Sequence, residues 1–401
     1  MTYDLFDLDK NYVKSFCEEM IAADLGVTWE CRCRIELLDA ETVSLMRRAG
    51  CHHVLFGIES GSKRTLKAIK KTTNMIKLRE RIEGVTSGGL LPIFSFVVGF
   101  PEEAPEDVDE TLSLGLYCKL VGDSFVNLHM PTALPGTELW LQSKERLVLS
   151  NMTGDMANGV SFSAGTGLLE EDMERIKRHP DLFSTFYNID PPLLGIDRVF
   201  FVHRIWATLT NFLPATLYSY SRTVGSLWRL LDDYRNALTL EDRRRIEDFN
   251  RIIEYNLIIE TFGEFLGAFL RNSKYSEWPL QSVFDHEITT YSIWRISKIT
   301  GLRLPEAQIN NNIERRKDVD GAFVICPDVK AIPMVHRVSH ESVLEQDFER
   351  APHLHLFVPV NKVDFAEYEV PLELEKFIIP ASSGPEHFTA PVSIDPELTK
   401  S

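Results

Sequence analysis

Two short stretches hold the residue types that ligand chemistry needs. Glu59-Ser60-Gly61-Ser62 follows the apolar run VLFGI and offers a carboxylate, two hydroxyls and a glycine at the entry to a helix. Backbone N–H groups and the helix dipole at such a place suit a polar or anionic ligand group. Gly99-Phe100-Pro101-Glu102-Glu103 closes the apolar run IFSFVVG with a glycine-proline turn, which lets a ligand approach the backbone beside a carboxylate. Ser-Gly and Gly-x-Pro also make ordinary strand-to-helix turns, so each signal is weak alone and stronger for its spacing to the other. No catalytic residue is singled out.

Metal chemistry is not expected. Cys31 and Cys33 point to one face of a strand, and Cys51 lies just before the next. Two-residue spacing on an extended chain is poor geometry for a cluster, so these thiols read as small apolar core groups. Adjacent histidines on a strand, His52 and His53, should diverge. His353 and His355 share a strand face, with no third ligand evident nearby.

The elements that position the two elbows alternate. Helical patterns at 11–25, after Asp39, at 63–82 and at 106–120 are interleaved with strand-like runs at 29–35, 54–58, 93–99 and 125–130. Repeated βα units imply a parallel sheet, at whose strand ends ligands gather. After Pro135-Gly136-Thr137 the pattern changes. A polar, Gly- and Met-containing stretch at 151–167 reads as a linker, helical segments follow at 168–179, 198–235 and 241–270, and β-like runs return at 322–327, 331–338 and 353–360. The expected organisation is 1–140 as an α/β unit, 141–170 as linker, 171–320 as a helical extension, 321–379 as a small α+β module and 380–401 as a disordered acidic tail.

Composition narrows the partners. The 401 residues carry 43 basic and 59 acidic side chains, a net −16, which argues against binding nucleic acid. Residues 338–401 hold 12 acidic against 4 basic groups, a net −8 on a solvated surface. The longest uncharged apolar stretch, 205–221, is too short and too polar to span a bilayer. Three aspartates in the first ten residues do not suit a secretion leader, and six irregularly placed cysteines fit a reducing cytoplasm.

In order, DLF (4–6), WECRCR (29–34), AGCHHVLFGIESGS (49–62), LKAIKKT (66–72), FVVGFPEE (96–103) and LPGTEL (134–139) resemble the later part of a radical S-adenosylmethionine enzyme barrel, most closely the class with a cobalamin-binding domain. About a third of the chain is covered. The resemblance implies a partial (β/α)6 TIM-like barrel lacking its first strand, with S-adenosylmethionine across the strand ends beside a 4Fe-4S cluster that cleaves it to a 5′-deoxyadenosyl radical. The reaction implied is modification, including methylation, of an unactivated position. The family's C-x3-C-x2-C cluster loop is absent from this chain, and so is the cobalamin domain; a partner chain is one source of the loop. The alternative is a non-catalytic barrel that binds a nucleoside or a partner.

Residue by residue, the resemblance places Glu59 and Ser60 at the amino and ribose parts of the cofactor, or as a helix cap. Lys71 faces the cofactor carboxylate, or lies with Lys67 and Lys70 on a solvated helix face. Arg34 holds a carboxylate or forms a structural salt bridge. Gly99, Pro101 and Glu103 match the strand end under the adenine and ribose, although Glu102 stands where the family has glycine.

Overall fold

Short apolar runs joined by capped helices build a four-stranded sheet. The computed structural model describes residues 5–71, 73–122, 124–149, 170–248, 254–271 and 279–300, and beyond them 323–325, 330–336, 340–345, 350–359, 365–371 and 378–380. Strands β1 (Trp29–Cys33), β2 (Cys51–Glu59), β3 (Leu91–Val97) and β4 (Phe125–His129) are hydrogen-bonded in that order and all run parallel. Parallel neighbours need crossover connections. Helix α1 (Lys10–Ala23) precedes β1, α2 (Ala40–Arg48) joins β1 to β2, α3 (Lys63–Ala68) and α4 (Met75–Ser87) join β2 to β3, and α5 (Pro105–Val121) joins β3 to β4. The chain is therefore α/β, with helices on a parallel sheet.

Side-chain caps set the helix starts. Asp9 accepts from the Asn11 N–H, Asp39 from Thr42, Ser62 from Arg64 and Thr65, and Asn74 from Ile76 and Lys77. The single helix expected at 63–82 is two. Lys70 takes a left-handed φ of 59° and the Lys71 N–H bonds back to the Leu66 carbonyl at 2.8 Å, a C-terminal motif that ends α3 before Asn74 starts α4. Strand β2 also begins earlier than expected, at Cys51. Its register against β1 slips by one residue, from Trp29↔Cys51 to Glu30↔His53. That bulge brings the His52 and His53 rings together, Nδ1 to Nδ1 at 3.3 Å, where regular alternation would have separated them.

The two faces of the sheet differ. Cys33, Phe56, Phe94 and Val126 stand side by side in register, all buried under the helices, with Phe56 and Phe94 stacked. The opposite face carries Arg32, Leu55, Ile93 and Phe125 in one row and Gly57, Ser95 and Asn127 in the next. Arg32 and Asn127 are exposed and Phe125 is half exposed. On this face the central strands are half-buried to buried, Ser95 being 6% exposed, and exposure is confined to the outer strands β1 and β4.

Beyond the sheet, α6 (Glu138–Ser143) leads to a short antiparallel pair, β5 (Leu147–Leu149) with β6 (Tyr187–Ile189), with α7 (Glu170–Arg178) between them in sequence. The helical segment expected at 198–235 comprises three helices: α8 (Ile196–Phe212), α9 (Pro214–Thr223) and α10 (Leu227–Ala237). Pro214 at the start of α9 cannot continue the preceding helix. Helix α8 packs on β4, and α9 and α10 pack on α5; α11 (Leu240–Glu247) and α12 (Tyr255–Arg271) follow. By contacts the chain divides into Met1–Ala268 and Phe269–Ser401.

The second unit contains α13 (Pro279–Thr300), β7 (Phe323–Ile325), β8 (Lys330–His336), α14 (His340–Glu345), β9 (Arg350–Pro359), β10 (Phe365–Pro371) and β11 (Ile378–Pro380). Strands β8, β9 and β10 form an antiparallel sheet with β9 central, and β7 pairs parallel with β11. The linker expected at 151–167 and the tail beyond 380 lie outside the described residues. Among those described, no helix is long and apolar enough to cross a membrane.

Candidate functional site

Both elbows stand at the same edge of the sheet, because β2 and β3 are parallel neighbours and Glu59 lies opposite Phe96. Glu59 ends β2 with a left-handed φ of 69°, and its carboxylate folds back over Gly57. The Lys71 ammonium donates to the Gly57 carbonyl and lies 3.6 Å from Glu59 Oε1, both side chains being about a quarter exposed. Lys67 and Lys70 are exposed, so Lys71 does not share their surface. The break after α3 turns it toward the strand end instead.

The serines face inward. Thr111 donates to the Asp107 carbonyl, so Ser60 donates its hydroxyl to Thr111 at 2.8 Å while accepting from the Ser62 N–H at 3.0 Å. Gly61 N also donates to Thr111 Oγ1, at 3.1 Å. The elbow lies so close to α5 that a Cβ on Gly61 would stand 2.2 Å from the Glu110 carbonyl oxygen. Ser62 donates to Asp107 Oδ1 at 2.6 Å, and the same carboxylate takes the Arg64 guanidinium and the Ala104 N–H. Burial would raise the Asp107 carboxyl, but the bonds from Arg64, Ser62 and Ala104 outweigh it and hold it below its ordinary value.

The second elbow is built around Glu103. Gly99 takes a φ of 100°, and its N–H donates to Glu103 Oε2 at 2.6 Å, with Phe100 N–H at 3.0 Å. Thr65, on α3, donates to Glu103 Oε1 at 3.4 Å. Glu103 is 1% exposed, and burial pushes its carboxyl up to about 7 against those hydrogen bonds. Pro101 is buried beneath the turn. At the neighbouring strand end, Arg34 is exposed, and its main-chain N–H donates to both oxygens of Asp7, at 3.0 and 2.9 Å. Burial raises the Asp7 carboxyl to about 6.

Four buried thiols, Cys17, Cys31, Cys33 and Cys51, lie on the packed side of the sheet, with Cys31 Sγ 3.7 Å from Cys33 Sγ. Among the described residues no group of three or more His, Cys, Asp or Glu is placed to hold a metal ion.

No family model matches the chain. It is 29% identical over 137 residues to an uncharacterized methyltransferase of Pyrococcus horikoshii, covering 34% of this chain and 29% of that protein. It is 33% identical over 101 residues to the anaerobic magnesium-protoporphyrin IX monomethyl ester cyclase of Rubrivivax gelatinosus, covering 25% and 18%. The radical S-adenosylmethionine methyltransferase TsrM of Kitasatospora setae, solved with cobalamin and a 4Fe-4S cluster bound, superposes with a TM-score of 0.35 at 15% identity over 61% of this chain and 50% of that one. The chain spans less than a third of the length of either curated relative.

Sequence reasoning picked out the residues at the strand ends and missed those that hold them. Thr65, Asp107 and Thr111 tie the two elbows together, and Asp7 closes on the end of β1. A faint signal for two of them exists: Asp107 and Thr111 stand four apart on α5, on one helix face.

Proposed function

We propose that residues 1–140 are part of a (β/α)6 barrel, and that the Glu59 and Gly99 elbows form one binding mouth for S-adenosylmethionine. One observation carries the reading: two adjacent parallel strands end side by side in these elbows, where the Glu59 and Lys71 side chains lie together and partly exposed. The ionic groups suit the ligand. Glu59 matches its ammonium group and Lys71 its carboxylate, the two side chains lying side by side and partly exposed. Ser60 is fully buried, with its N–H on the Ile58 carbonyl and its hydroxyl on Thr111, so it shapes the elbow and does not reach the ligand. Gly99, Pro101 and Glu103 shape the turn under the nucleoside, and Arg34 stands exposed at the end of β1.

The reaction we assign is modification, including methylation, of an unactivated position; a 5′-deoxyadenosyl radical would form there only with one electron from a reduced 4Fe-4S cluster, methionine being released. The described residues do not fit a 4Fe-4S cluster, since the gathered thiols lie under the helices and no three-ligand group is present among them. No step is derived through it. We assign the cluster loop and the cobalamin site to residues outside those described, a partner chain being one source of the loop. The described cysteines are free thiols, which supports a cytoplasmic setting.

Titration calorimetry with S-adenosylmethionine on the full chain tests the mouth. Saturable binding that weakens in Lys71→Ala and Glu59→Gln supports it, and no binding at millimolar ligand overturns it. Reconstitution of the isolated chain with iron and sulfide should leave no cluster absorbance; a stable cluster spectrum would show that the ligands lie in this chain.

A further inference from the structure

We infer that Glu103 is a proton-held latch between the two strand-end elbows, a conformational device that does not depend on which ligand the mouth takes. One oxygen is gripped by the Gly99 and Phe100 N–H groups, at 2.6 and 3.0 Å, within its own elbow. The other receives the Thr65 hydroxyl from α3, which begins at the Ser62 elbow. A single side chain, 1% exposed, thus closes both turns.

Among the described residues no cation pairs with it directly. Among the described residues, the charged groups facing it are Asp107, of the same sign one turn along α5, and beyond it Arg64 of α3, whose guanidinium is committed to Asp107. Helix α8 meets Gly99 with Val199, and β4 meets the turn with the His129 carbonyl, which accepts from Val98 N–H. Burial therefore favours the neutral carboxyl, displacing its titration to about 7. The protonated form is fully satisfied: a proton on Oε1 points to the Thr65 oxygen, while Oε2 still accepts from both amides.

An open latch exposes the carboxyl to water, where it titrates in the ordinary range. The closed form then holds a proton that the open form releases. Because the closed value lies above the open one, the stabilisation is complete at low pH and is lost as pH rises toward 7. Between pH 5.5 and 8 the opening equilibrium should rise on the order of tenfold to thirtyfold.

Amide hydrogen exchange on the full chain, followed from pH 5.5 to 8 over residues 60–66 and 97–104, tests this against Glu103→Gln. That variant keeps one acceptor and one donor but cannot ionise. Expected is a loss of protection in the native protein, relative to the variant, of about tenfold or more with an inflection near 7. Parallel pH profiles would overturn the latch. The ¹³C carboxyl shift of Glu103 in the native protein decides the matter even if the variant fails to fold: titration near 7 supports the latch, and titration near 4 overturns it.

Discussion

The Ser62 hydroxyl donates a 2.6 Å hydrogen bond to the carboxylate of Asp107, 45 residues further along the chain. That carboxylate also holds Arg64 and the Ala104 N–H, so one residue on α5 anchors the turn after β2 and the turn after β3. Asp107→Ala leaves the buried Ser62 hydroxyl without its acceptor and should cost about 2–4 kcal/mol. Asp107→Asn, which keeps an acceptor, should cost about half of that. Urea denaturation of both variants measures the difference; equal stabilities would show that the carboxylate is not an anchor.

Gly61 offers a steric test of the same junction. A methyl group there would stand 2.2 Å from the Glu110 carbonyl oxygen, which sits in a helix and yields little. Gly61→Ala should destabilise the protein by about 2–3 kcal/mol and broaden the exchange of the Ser60–Ser62 amides. An unchanged melting midpoint would mean that the elbow does not rest on α5.

Asp7 should make stability fall with rising pH. Its folded value, about 6, lies above the ordinary aspartate value of 3.8, so the folded state holds an extra proton between those two. The contribution is complete below pH 4 and is lost as pH rises through 6, by on the order of 1–2 kcal/mol after solvent screening. Asp7→Asn should flatten that part of the profile while keeping an acceptor for the Arg34 N–H. Denaturation midpoints taken every half pH unit from 4 to 7 read the slope.

Lys71 and Glu59 should matter for binding and little for folding, since each is partly exposed. Replacing Lys71 by Ala, or Glu59 by Gln, should weaken S-adenosylmethionine binding about tenfold and change stability by less than about 1 kcal/mol. Calorimetric dissociation constants beside melting curves separate the two effects. A large stability loss with unaltered affinity would make the pair structural.

The sequence alone determined the local parts of this protein. Asp9, Asp39 and Ser62 mark helix starts because a cap needs only an acceptor and the next two or three N–H groups. The Glu59 and Gly99 turns were legible because strand, turn and helix signals are contiguous there. Only the tertiary structure decided what those turns touch. A break at Lys70 turned Lys71 away from Lys67, a one-residue slip in β2 brought His52 against His53, and the packing of α5 spent the Ser60 and Ser62 hydroxyls inward. Each outcome depends on partners tens of residues away or on a register choice between strands. Short-range patterns hold no record of these, because the energies that settle them arise only once the helices are seated on the sheet.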